Sequence, residues 1–170
     1  MILVSIGANL PGPDGALPLV TCRRAALALD ALPGLRLRGL SHWYETAPVL
    51  APGRTSRSMP RYVNGMAHLA GGPVEPAELL AQLMTIESSA GRVRSVRNAP
   101  RVLDLDIIAI GALVRRQPDP ILPHPRAHER AFVLAPLKEV APDWVHPVLG
   151  RCIGELLDAV AGQDLQLIDP

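Results

Sequence analysis

Apolar and polar positions along the chain fall into short blocks of differing period, and these blocks predict a series of alternating strands and helices. Residues 2–6 read as a buried strand stopped by Gly7-Ala8-Asn9, and a Pro/Gly-rich turn follows at 11–15. Residues 16–32 have helical composition and end at Pro33-Gly34. Residues 35–45 alternate as a second strand, 48–60 form a loop dense in Pro, Gly, Ser and Arg, and 62–69 make a third strand. Pro76 is placed as the first helical residue, Gly91 as the stop, and Leu79, Leu80, Leu83 and Met84 mark the buried stripe between them. A fourth strand covers 102–110, rich in β-branched residues and closed by Gly111. Beyond it a short hairpin, a loop with Pro118, Pro120, Pro123 and Pro125, and a final helix near 153–161 are expected.

The order β-α-β-β-α-β predicts an α+β fold of the ferredoxin-like kind, an antiparallel sheet with two helices packed on one face and a C-terminal extension. A length of 170 residues with 48% hydrophobic content suits one substantial core, so a single domain over residues 1–170 is expected. A net charge of +1 gives no global attraction to nucleic acid or to a membrane surface. Basic residues therefore matter only where they cluster, and nearly all are arginine, Lys138 being the sole lysine. Cys22 and Cys152 belong to no Cys/His cluster, so neither a zinc site nor a disulfide framework is indicated. With no basic leader and no membrane-length apolar run, a cytoplasmic protein acting on small molecules is expected, with no nucleic acid or membrane partner and as a monomer.

Chemistry concentrates in the fourth strand. Asp104 and Asp106 alternate with Leu103, Leu105 and Ile107, so the two carboxylates share a face, roughly 6.6 Å apart at about 3.3 Å per residue. The next positions on that face, Ile108 and Ile110, are apolar, so this is not simply a wet strand face; two charges there need a partner. Upstream, Arg92, Arg94, Arg97 and Arg101 supply forked cations suited to phosphate, on a segment broken by Ser95, Asn98 and Pro100 that is expected to be a mobile loop. Paired carboxylates suit Mg²⁺, and together the two groups suggest a site for a metal-bound polyphosphate.

Other candidates have a plainer reading beside the functional one. Glu87 continues the apolar stripe of its helix and is either a snorkelling edge residue or a functional carboxylate. His124 and His128 stand four apart, but Pro125 disfavours joint metal ligation; His124 reads as a donor to phosphate or as a structural histidine, and His42, His68 and His146 as structural. Aromatics are only 3% of the chain, and by default Tyr62 and Phe132 are core. Tyr62-Val63-Asn64, however, puts a ring and an amide on one strand face, suited to a flat heterocycle.

Taken in order, Ile6-Gly7-Ala8-Asn9-Leu10, Tyr44-Glu45-Thr46-Ala47-Pro48, Tyr62-Val63-Asn64, Glu87 with Gly91-Arg92-Val93-Arg94, Pro100-Arg101-Val102-Leu103-Asp104-Leu105-Asp106-Ile107, and Pro123-His124-Pro125-Arg126 with His128-Glu129-Arg130-Ala131-Phe132 resemble the 6-hydroxymethyl-7,8-dihydropterin pyrophosphokinases of folate biosynthesis. The resemblance implies transfer of pyrophosphate from ATP, the co-substrate, to the pterin hydroxymethyl group, with release of AMP. It implies two Mg²⁺ ions on Asp104 and Asp106, with Arg92 and Arg101 as catalytic lid arginines. It implies ATP contacts at Glu87, Arg92, Arg94, Arg101, Ile107, His124 and Arg130. The pterin would lie between Tyr62 and Phe132, with Gly7, Thr46, Ala47, Val49 and Asn64 around it. The chain departs from the pattern at Asn98-Ala99, where the family usually has Trp-Gly, at Val102 and at Asp119. A catalytically weak or inactive pterin/ATP-binding homologue with an altered lid is therefore the alternative, and a DxD nucleotide-sugar transferase the rival enzyme.

Overall fold

The computed structural model describes residues 1–48, 60–92 and 100–169. It is an α+β protein built on one six-stranded antiparallel sheet. The strands are β1 (Ile2–Ala8), β2 (Leu35–Leu40), β3 (Trp43–Thr46), β4 (Tyr62–Gly71), β5 (Asp104–Ile110) and β6 (Gln166–Asp169). The helices are α1 (Pro18–Asp30), α2 (Pro76–Ser89), α3 (Ala131–Val140) and α4 (Ile153–Asp158). The sheet order is β5-β1-β4-β3-β6, and β2 pairs with the far end of β4.

Sequence periodicity explains the layers. In β1, Val4 and Ile6 face a core that includes Cys22, Ala25 and Leu29 of α1 and Leu79 and Leu83 of α2. Leu3 points the other way, into a second core with Met66, Ile108 and residues of α3 and α4. Helices thus cover both faces of the sheet. The expected pair, α1 and α2, does share one face; α3 and α4 cover the other.

Two local irregularities refine the expected strands. The stretch 35–45 is divided at Ser41-His42, where Ser41 N–H donates to the Met66 carbonyl (3.0 Å) and the Ser41 hydroxyl accepts from Met66 N–H (2.9 Å). Past that kink the Trp43 ring crosses Gly65 so closely that a Cβ there would lie 2.6 Å from it. In β5 the register on β1 slips between Leu3 opposite Ala109 and Val4 opposite Ile107, which marks a bulge at Ile108. Ile108 and Ala109 consequently both enter the second core, while Ile110 packs against the first. Ile110 is therefore not on the aspartate face, as strict alternation required; the bulge reverses the alternation after Ile108.

Candidate active site

A cavity of about 480 Å³ opens between the end of the sheet, the segment around His124 and the start of α3. Asp104 and Asp106 project into it from β5, beside Ser5 and Gly7 of β1. Residue 101 reaches the site through a buried asparagine. Asn9, 1% exposed, accepts from Arg101 N–H at its Oδ1 (2.7 Å), and the Asn9 and Leu10 N–H groups both donate to the Arg101 carbonyl (3.0 and 3.1 Å). This lock holds Arg101 where its Nη1 donates to Asp104 Oδ2 at 2.5 Å. Arg92 Nη1 donates to the other oxygen, Asp104 Oδ1, at 2.7 Å, so one carboxylate is gripped by two guanidinium groups.

Glu87 stands behind this arrangement and does not line the cavity. It is 5% exposed, its Oε1 accepts from Leu105 N–H at 2.7 Å, and the same oxygen accepts from Arg92. Burial raises the Glu87 acid above its ordinary value, against the opposing hydrogen bond from Leu105 and the Arg92 charge. Its contacts among the described residues aim Arg92 and pin the start of β5. Glu87→Ala should cost about 2–4 kcal/mol in denaturant unfolding, because a buried N–H and a guanidinium lose their shared acceptor. Glu87→Gln, which keeps a carbonyl for Leu105, should recover part of that loss. The Ile107 side chain, 3% exposed, lies in the core under α1 and α2, and its backbone belongs to the same strand as the two aspartates.

The electrostatics are uneven along the cavity. Burial and the neighbouring Asp104 carboxylate push the Asp106 acid up to about 6. Burial and Arg130 push His124 down to about 4, and its Nδ1 accepts from Arg126 N–H (3.2 Å), so at neutral pH it is an uncharged donor through Nε2. Arg130 is pushed down by burial and by Arg126, and its Nε is buried with no hydrogen-bond partner among the described residues. An anion fits there. Arg126 also lines the cavity; its position two residues after His124 was the available signal, but it carried no assigned role. Asn9 was visible as a polar residue ending an apolar strand and as part of the Ile6-Gly7-Ala8-Asn9-Leu10 stretch, without an assigned role.

At the opposite end Tyr62, Asn64, Thr46, Ala47 and Phe132 share the cavity wall. Asn64 Nδ2 donates to Thr46 Oγ1 (3.0 Å) and to the Tyr62 carbonyl (3.3 Å), which fixes the amide plane. Gly7 lies next to its Oδ1, 3.5 Å from where a Cβ would stand. Arg130 lies over the Phe132 ring, 5.5 Å from its centroid. Val49 and Arg94 fall outside the described residues, as does the 94–99 segment expected to be mobile.

Comparison with known proteins places this geometry. The model of the 7,8-dihydro-6-hydroxymethylpterin-pyrophosphokinase (HPPK) family matches residues 3–142. The chain belongs to this family. It is 40% identical over 159 residues to the 2-amino-4-hydroxy-6-hydroxymethyldihydropteridine pyrophosphokinase of Pseudomonas aeruginosa, covering 93% of this chain and 90% of that one. It is 36% identical over 158 residues to the protein of the same name from Synechocystis, covering 93% of this chain and 75% of that one. Wild-type HPPK-DHPS of Plasmodium falciparum shares the fold with a TM-score of 0.67 at 14% identity, over 95% of this chain and 44% of that longer one. Membership in a pyrophosphokinase family removes the sugar-transferase rival and gives no support to an inactive homologue. Among the described residues no helix is long and apolar enough to cross a membrane.

Proposed function

We propose that the chain transfers the β,γ-pyrophosphoryl unit of ATP to the hydroxymethyl oxygen of 6-hydroxymethyl-7,8-dihydropterin, with the cavity holding both substrates end to end. The observation that carries this reading is the shared cavity: an aromatic and amide wall at one end, paired carboxylates with arginines at the other. In the reaction the hydroxymethyl oxygen attacks the β-phosphorus and gives its proton to water, an O–P bond forms, the bond from the β-phosphorus to the bridging α-phosphate oxygen breaks, and AMP leaves. Such chemistry asks the protein mainly for alignment and charge neutralisation. Arg101, Arg92 and Arg130 would neutralise phosphate oxygens, and neutral His124 would donate to one without adding charge.

The carboxylates fit Mg²⁺. Asp106 is a half-buried acid beside a second carboxylate, an arrangement a cation relieves. No group of three His, Cys, Asp or Glu residues capable of holding a metal occurs among the described residues, so phosphate oxygens and water would complete the shell, as Mg²⁺ commonly requires. Asp104 and Asp106 would hold two such ions, which supply charge neutralisation across the triphosphate.

The pterin would stack between Tyr62 and Phe132, reading its amide edge through Asn64, Thr46 and Ala47. Phe132→Ala and Tyr62→Ala should each raise the pterin dissociation constant about tenfold or more, since stacking on a heterocycle face is worth about 1–3 kcal/mol. Fluorescence titration of the pterin checks this, with affinity for a non-hydrolysable ATP analogue staying near its starting value. Equal weakening of both ligands would contradict the assignment.

At the level of the fold, we read β1-α1-β2-β4-α2-β5 as a ferredoxin-like split unit in which β3 continues β2 along β4. The strand order, antiparallel throughout, supports this. We also propose that residues 1–170 act as one domain, monomeric and cytoplasmic.

A further inference from the structure

The match to the family ends at residue 142, yet two side chains beyond it reach both walls of the cavity. Gln163 and Asp164 lie between α4 and β6. Gln163 Oε1 accepts from Ala131 N–H (2.9 Å) and its Nε2 donates to the Glu129 carbonyl (2.8 Å). Its amide therefore straddles Arg130 and satisfies an N–H at the first turn of α3, a helix whose start has no side-chain cap of its own. Arg130 and Phe132, the residues on either side of Ala131, face the cavity.

Asp164 turns the other way. Its Oδ2 accepts from Ala47 N–H (2.7 Å) and from Arg61 Nη2 (2.7 Å), and Arg61 Nε in turn donates to Glu45 Oε2 (2.8 Å). Thr46-Ala47, which lines the same cavity as Phe132, is thereby fixed at the end of β3. β6, which follows directly, pairs with β3 and anchors the connection.

We propose that Gln163-Asp164 is a positioning brace that sets the spacing between the Thr46-Ala47 wall and the Arg130-Phe132 wall, and so tunes recognition of the flat heterocycle. The two residues touch no substrate; they act through Ala47, Ala131 and the backbone around Arg130. The inference rests on the reading of this end of the cavity as the pterin slot. Because adjacent residues hold two separate segments of the lining, loss of both hydrogen-bond sets lets the spacing between them change while the Asp104-Asp106 end, held by Asn9 and Glu87, stays in place.

The test compares the full-length Gln163→Ala/Asp164→Ala double variant, each single variant, Asp164→Asn and Tyr62→Ala. The pterin dissociation constant of the double variant should rise about tenfold, with affinity for a non-hydrolysable ATP analogue within about twofold and kcat at saturating pterin within about threefold. Asp164→Asn keeps an oxygen for Ala47 N–H and should restore most of the affinity. An unchanged pterin constant in the double variant, with Tyr62→Ala still weakened, overturns the brace alone. Parallel loss of pterin and ATP-analogue affinity and of melting temperature overturns it in favour of a purely structural role. An unchanged Tyr62→Ala overturns the slot, and the brace with it.

Discussion

Asp106→Asn should lower kcat by about 10³-fold or more while leaving the melting temperature unchanged or slightly raised, since metal-assisted charge neutralisation is worth several kcal/mol in a phosphoryl transition state. The opposite signs follow from one fact. Asp106 is half-buried beside Asp104, and both desolvation and that charge push its acid up to about 6. A carboxyl whose folded value exceeds its ordinary 3.8 takes up protons more readily in the native state than in the unfolded chain. Its ionised form therefore costs stability at neutral pH, and that cost fades as pH falls from about 6 to 3.8. An amide of the same shape removes the cost together with the negative charge that chemistry needs. Steady-state AMP formation and a thermal melt on the same preparation check both halves. A variant that loses activity and stability together would place Asp106 in the scaffold instead.

Arg101→Ala should lower kcat by about 10²–10³-fold, the range for losing one preorganised group aimed at developing charge. Arg101 is built for such precision: its backbone is locked on both sides by Asn9, and its guanidinium rests 2.5 Å from Asp104. With Mg²⁺ and ATP bound, Asp104 would hold the metal and the Arg101 guanidinium would neutralise a phosphate oxygen. Arg101→Lys should recover little, because a compact ammonium does not reproduce the fork. Pre-steady-state rates with saturating ATP and pterin separate this from weakened binding; full activity in Arg101→Lys would show that charge alone suffices.

Much of this arrangement was legible in the residues because its signals are local. Pro76 set the start of α2, Gly91 followed its end, and alternation put Asp104 and Asp106 on one face that does open to the cavity. What was missed depends on partners distant in sequence. α3 was not foreseen because Pro136 sits inside it, a residue that removes a helical N–H, yet the helix persists through its buried Val133, Leu134 and Leu137. β6 is four residues long with Leu167 and Ile168 exposed, and is a strand only by pairing with β3. Glu87 read as ambiguous because its acceptor role serves Leu105 and Arg92, neither of which its own helix reveals.

One cavity would align ATP and a hydroxymethylated dihydropterin for pyrophosphoryl transfer. Chromatography of the nucleotide products formed by purified protein with Mg²⁺, ATP and 6-hydroxymethyl-7,8-dihydropterin measures that transfer. AMP should appear in equal amount to the pterin diphosphate formed, with none without the pterin or with Mg²⁺ chelated, and little from Asp106→Asn. ADP as the product, or AMP independent of the pterin, would contradict it.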